Sequence, residues 1–164
     1  MKRGLGWLSR GVVGLGIVAA VAGTGWAQAM LDAEAESKQI KTVIDEAFKA
    51  SNAHNIDQTM AQYADDARID SKVAGSKISK SAYREQLTRA WSRDSPVWAE
   101  YGNLQVSVAD PSHAVAQGMI FIHLHAASGQ KTRHIQGGPD VSEKYEWRME
   151  KRDGRWLIVE TSYK

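Results

Sequence analysis

The chain contains no cysteine. Disulfides, thiolate-bound zinc and a lipid-anchored amino-terminal cysteine are thereby excluded, and stability has to come from an ordinary packed core. An excess of charge of one sign is also missing. Lys and Arg number 21 against 19 Asp and Glu, and three of the basic residues (Lys2, Arg3 and Arg10) lie at the amino terminus. Beyond Arg10 the balance is 18 basic to 19 acidic residues, which gives no footprint for nucleic acid. Long apolar runs are absent too. The uncharged apolar run after Arg10, Gly11 to about Gly25, falls short of the roughly 20 residues of a membrane span. Proline is scarce at three residues, and no linker, repeat or low-complexity segment interrupts the chain after the leader.

What is present begins with that leader. A basic start, a short apolar middle and the small-x-small site Ala27-Gln28-Ala29 form an export signal. Residues 1–29 are expected to be a signal peptide cleaved after Ala29, with an uncleaved anchor as the competing reading. The mature domain, residues 30–164, is then periplasmic or secreted, with no membrane attachment after cleavage. At 164 residues the chain is long enough for one domain with its own core.

Periodicity divides the mature part into helices and then strands. Ile40, Val43, Ile44, Ala47 and Phe48 recur at helical steps between Leu31 and about Ala53. Asn55 can cap a short helix carrying Ile56, Met60 and Tyr63 on one face, which is expected to stop at Asp65-Asp66 and turn into a strand. In that strand Ala67, Ile69 and Ser71 alternate with Arg68 and Asp70. Lys72 to Ser79 reads as a polar connection, and Lys80 to Arg93 as a third helix capped by Ser79 or Ser81. From there the period becomes 2. Strands are predicted over Asn103–Ala109, Ala114–Ala126, Val141–Lys151 and Trp156–Tyr163, with a long polar loop from Ala127 to Asp140. Asp153-Gly154 supplies the tight turn between the last two. The expected fold is α+β, three N-terminal helices packed on a curved, mostly antiparallel sheet. Two strands are apolar on both faces, which points to a homodimer packed through the sheet.

Four segments carry a family likeness: His54-Asn55-Ile56-Asp57, Tyr63-Ala64-Asp65-Asp66-Ala67, Tyr83-Arg84-Glu85-Gln86-Leu87, and Lys151-Arg152-Asp153-Gly154-Arg155-Trp156-Leu157-Ile158-Val159. In this order they resemble the NTF2-like superfamily, with its SnoaL-like polyketide cyclases and ketosteroid isomerases. The resemblance implies a cystatin-like cone, a sheet wrapped around a pocket roofed by helices, and it implies no cofactor and no common metal site. It also allows a test for ketosteroid isomerase. Carrying that enzyme's pattern across puts the base at Ser71 and the helix tyrosine at Ala47, with the third group near Ser142 or Glu143. At least two of the three groups are missing, so that activity is not expected.

Candidate acid–base residues are His123 and His125, two apart on one face of a strand, with Glu143 as a partner and Tyr145 as a donor. The competing reading makes one imidazole a pocket wall and the other a wet strand end. Candidate ligand-binding residues are Tyr63, Trp91, Trp98, Tyr101, Phe121 and Trp147, with core packing or a dimer interface as the alternative role, above all for Tyr63. The expected partner is a small apolar or amphipathic molecule in a conical pocket. Two alternatives are a proton-transfer enzyme (isomerase, cyclase, dehydratase or hydrolase) and a protein-interaction module using the sheet face.

Overall fold

Ile40 and Ile44 are wholly buried, and Val43, Ala47 and Ala50 nearly so, as the helical repeat requires. They belong to α1 (Ala19–Asn52), the first element of the computed structural model, in which residues 19–92, 97–124 and 141–164 are described. The chain divides into two units, Met1–Glu34 and Ala35–Lys164. In the first, the backbone is helical from Ala19 onward, so α1 starts earlier than Leu31 and includes the expected cleavage site at Ala29. Lys2, Arg3, Arg10 and the start of the apolar run lie outside the described residues. Among the described residues no helix is long and apolar enough to cross a membrane.

The second unit continues with α2 (Ile56–Met60), β1 (Tyr63–Ser71), β2 (Ser76–Ser79), α3 (Lys80–Trp91), β3 (Val97–Asp110), β4 (His113–Leu124), β5 (Val141–Arg152) and β6 (Arg155–Tyr163). The strands form one sheet in the order β2-β1-β6-β5-β4-β3, antiparallel throughout except for the parallel pair β1–β6. The fold is α+β with a mostly antiparallel sheet. The expected set of three N-terminal helices is corrected: one long helix leads, α2 has five residues, and α3 follows two strands.

Local chemistry accounts for most boundaries. Asn55 Oδ1 accepts from the Gln58 backbone N–H at 3.1 Å and caps α2. Ser79 Oγ does the same for Ala82 at the start of α3, at 3.2 Å. Asp153 and Gly154 both have positive φ, 51° and 77°, as a two-residue hairpin turn demands. Two expectations fail at Tyr63–Ser79. Asp65 and Asp66 form no turn: the strand begins at Tyr63, and their carboxylates point outward to Lys80 and Arg152. The two aspartates lie in an irregular stretch of the β1–β6 pairing, between the partners Tyr63 and Arg68, and their ion pairs hold them outside the core. The polar connection also contains a strand, because Gly75 (φ 64°) lets Ser76–Ser79 fold back onto β1. The predicted loop at Ala127–Asp140 lies outside the described residues.

The sheet bends at irregularities in its pairing. Between Gly102 and Gln105 the β3–β4 register shifts by one residue, and Asn103 there has φ 54°. An extra residue flips the alternation, so Tyr101 and Ala99 share a face with Val106 and Val108 despite their odd numbers. A second shift lies opposite Arg148 and Met149, where Val159 is the extra residue of β6. Beside the first bulge the backbones run close, since a Cβ on Gly118 would come within 3.0 Å of the Gly102 carbonyl oxygen.

Side chains of α1 seat the helix on the concave face. Asn52 closes a two-bond clasp with the Ala99 backbone, donating to its carbonyl at 2.7 Å and accepting from its N–H at 2.9 Å. At the other end Glu36 accepts from Lys151 Nζ at 2.7 Å and from Trp156 Nε1 at 2.5 Å. These bonds, Lys151 first and Trp156 second, hold the Glu36 carboxyl below its ordinary value. A depressed folded-state pKa gives stability that is complete above the unfolded value and lost as pH falls through the folded one. The Glu36→Gln variant is therefore expected to be less stable than the natural protein at neutral pH, with the gap closing below about pH 4. Urea unfolding at the two pH values measures it, and a gap that stays constant with pH would contradict the assignment.

Candidate functional site

Pairing fixes which side chains meet. Gly118, Ile120 and Ile122 of β4 face the helices, and their partners on β5 are Tyr145, Glu143 and Val141. Tyr145 and Trp147 in turn pair with Tyr163 and Thr161 of β6. Over this concave wall lies α1, bringing Ala47, Phe48 and Ser51. α2 adds Thr59, β1 adds Tyr63 and α3 adds Tyr83. Together with Ala99 these residues line a cavity of about 120 Å³.

Four of the five tyrosines in the chain line that cavity. Tyr63 and Tyr83 pack edge to face at 5.8 Å between ring centroids, and Tyr145 and Tyr163 at 4.8 Å. Tyr145 also meets Trp147 edge-on at 4.9 Å, and Phe48 meets Trp147 at 6.1 Å. Burial is the largest cause raising each phenol's pKa: Tyr83 is pushed up to about 12, Tyr63 and Tyr145 well above the ordinary value, and Tyr163 in the same direction. At neutral pH all four stay protonated, so they can donate hydrogen bonds and do not act as bases. Among the described residues that line it there is no carboxylate or imidazole.

The structure separates the acid–base candidates. His123 pairs with Trp98 across β3–β4 and sits on the outer face, its ring 4.5 Å from the Trp98 ring. His123 Nε2 is buried without a hydrogen bond, 3.4 Å from Glu100 Oε1. Glu143 sits on the concave side, in an ion pair with Lys72. His123 and Glu143 are therefore on opposite faces of the sheet and cannot act on one substrate, while Tyr145 joins the cavity. His125 lies outside the described residues. Among the described residues no three His, Asp or Glu side chains cluster to hold a metal ion.

The aromatic candidates divide as well. Tyr63 and Trp147 line the cavity. Tyr101 backs it, packed against Phe48 at 5.2 Å, with its hydroxyl bonded to Asp45 and Lys41 of α1. Trp91 stacks on His54 at 5.1 Å, and Trp98 and Phe121 belong to the outer face. Sequence reasoning missed Phe48, Tyr83 and Tyr163 as pocket residues. A usable signal was there, since Tyr63, Tyr83, Tyr145 and Tyr163 all fall on predicted helices or strands. Ser71, at the position of the isomerase base, is locked by donating to Gln86 Oε1 at 2.7 Å, and Ala47 contributes a methyl group to the cavity wall.

A larger depression of about 690 Å³ crosses the outer face, lined by Gln105, Gln117, Lys144, Glu146 and Lys164 among others. Its polar groups already satisfy one another: Gln117 donates to Glu146 at 2.8 Å, and Lys164 lies 3.3 Å from the same carboxylate. Tyr145 is the one aromatic residue among its described lining residues, against six in the smaller cavity, which is the better site.

Residues 33–162 match the model of the SnoaL-like domain family. No curated protein matches this chain. Solved structures share the fold at low identity. A Mycobacterium tuberculosis protein of unknown function is 21% identical with a TM-score of 0.64, over 79% of this chain and 75% of its own. An NTF2-like protein of unknown function from Pseudomonas putida has 17% identity and a TM-score of 0.65, over 79% and 86%. A candidate scytalone dehydratase from Novosphingobium aromaticivorans has 12% identity and a TM-score of 0.66, over 79% and 83%.

Proposed function

Because this chain belongs to the SnoaL-like domain family of NTF2-like proteins, whose fold hosts many chemistries, its function has to be argued from its own cavity, and we propose that it binds a compact single-ring apolar or amphipathic molecule there. The observation that carries this reading is the cavity of about 120 Å³ walled by Phe48, Trp147, Ile120, Ile122 and four protonated phenols. Size decides the class of ligand. An apolar cavity of roughly 150 Å³ holds one benzene ring, so this one suits a single ring and is too small for a steroid. Apolar walls supply the affinity, and the phenol hydroxyls orient an oxygen of the ligand. Shape and apolar walls are all that binding requires of such a cavity. Export through the leader is part of the same proposal, and it places the ligand outside the cytoplasm.

The test is a thermal-shift series on the full chain with toluene, p-cresol, naphthalene and a steroid. Binding at one hundred times Kd adds about 2.7 kcal/mol and raises Tm by several degrees. Single-ring compounds are expected to raise Tm while the steroid leaves it unchanged. If no single-ring compound raises Tm, the proposal fails.

A further inference from the structure

Two buried side-chain polar atoms among the described residues have no hydrogen-bond partner, His123 Nε2 and Glu143 Oε2. The first has Glu100 beside it at 3.4 Å on the outer face. The second belongs to a carboxylate whose other oxygen is paired with Lys72, and its position ties it to the cavity. Glu143 pairs with Ile120 and lies one pleat outward from Tyr145 on the same face, and both of those residues line the cavity. Lys72, which donates to Glu143 Oε1, places its Nζ 4.7 Å from the centre of the Tyr163 ring, another wall residue. The Glu143 charge also acts on the Tyr163 phenol. Glu143 and Lys72 thus flank Tyr163, one of the wall residues, with one carboxylate oxygen engaged and the other without a donor from the described residues.

We infer that the ligand of this pocket carries a neutral O–H or N–H donor on its ring, and that Glu143 Oε2 accepts from it at the cavity rim. The inference rests on the pocket reading above and adds the polarity of the ligand to its size. A buried acceptor left without a donor is costly, so the oxygen calls for one. Lys72 already balances the carboxylate charge, which favours a neutral hydroxyl or N–H over an ammonium group. Water can serve the oxygen in the empty protein. A ligand hydroxyl that displaces this water restores the bond it breaks, whereas a bare hydrocarbon edge does not. Selectivity for donor-bearing rings follows.

Isothermal titration of the full chain with toluene and p-cresol tests this, using the natural protein, Glu143→Leu and Glu143→Gln. In the natural protein p-cresol is expected to bind about tenfold more tightly than toluene, the gain of one hydrogen bond to a charged acceptor. In Glu143→Leu the advantage of p-cresol over toluene should vanish. Glu143→Gln, which keeps the shape and one neutral acceptor, should reduce the advantage, and it serves if the leucine variant does not fold. If toluene binds the natural protein as tightly as p-cresol, the inference is overturned while the pocket reading stands. An advantage for p-cresol that survives both substitutions also overturns it, since the donor then goes to another group. If neither compound binds, the pocket reading fails and this inference with it.

Discussion

Trp147→Ala is expected to destabilise the domain by about 3–5 kcal/mol, and small aromatic molecules are expected to restore part of that loss. Trp147 is 1% exposed and stands at the centre of β5. It pairs with Ala116 on one side and Thr161 on the other, so its strand neighbours are small and its ring fills the space between them and α1. Phe48, Tyr101 and Tyr145 all meet it edge to face. Truncation removes the transfer energy of the indole and leaves a void that these neighbours can close only in part. Because Trp147 also walls the existing cavity, the two spaces merge into one large enough for a second ring. Urea unfolding gives the loss, and titration with indole should recover stability in the variant and not in the natural protein. A loss below about 1 kcal/mol would show that the concave face is not packed as described.

Ala47→Leu is expected to abolish binding of single-ring compounds without unfolding the protein. Ala47 is 6% exposed, sits on the buried stripe of α1 and lines the cavity. Leucine and alanine have nearly the same helix propensity, so α1 tolerates the change. The added carbons have the cavity as the open space to enter. Filling it adds apolar burial of about 0.8 kcal/mol per CH₂, so Tm should hold or rise. Affinity for toluene should fall by at least about tenfold. Overpacking of a site with no void would instead cost about 1–3 kcal/mol. A lower Tm with binding retained would therefore mean that the cavity lies elsewhere. Measuring Tm with and without toluene separates the two outcomes.

Much of this architecture could be read from local pattern. The helical repeat of Ile40, Val43, Ile44 and Ala47, the caps at Asn55 and Ser79, the Asp153-Gly154 hairpin and the alternation along β4 all appear in the structure as expected. Each is fixed by residues within a few positions of one another, where propensity and periodicity act. The strand at Ser76–Ser79 was not legible in this way. Its sequence is polar because it is an edge strand with little to bury, and polarity without alternation reads as loop.

The candidate site was legible only in fragments. Alternation along β4 put Met119, Phe121 and His123 on one face and Ile120 and Ile122 on the other, and that division holds. Which face the helices cover is a tertiary question. The pairing of Ile120 with Glu143, and of Gly118 with Tyr145, put the aliphatic side inward, and so the histidine side outward. The extra residue at Asn103 changed parity along β3 and brought Tyr101 to the helix side, which a period of 2 carried through from Val106 could not anticipate.

By itself, then, the sequence determined most of the elements, the caps at Asn55 and Ser79, the Asp153-Gly154 turn and the family likeness, because those depend on interactions along the chain. The meeting of Tyr63, Tyr83, Tyr145 and Tyr163 around one cavity, with the Glu143–Lys72 pair beside Tyr163, was decided by strand order and bulges. Those four tyrosines are spread across a hundred positions of the chain. Closing such long loops is driven by burial of the whole core, and no local preference encodes which distant side chains it brings together.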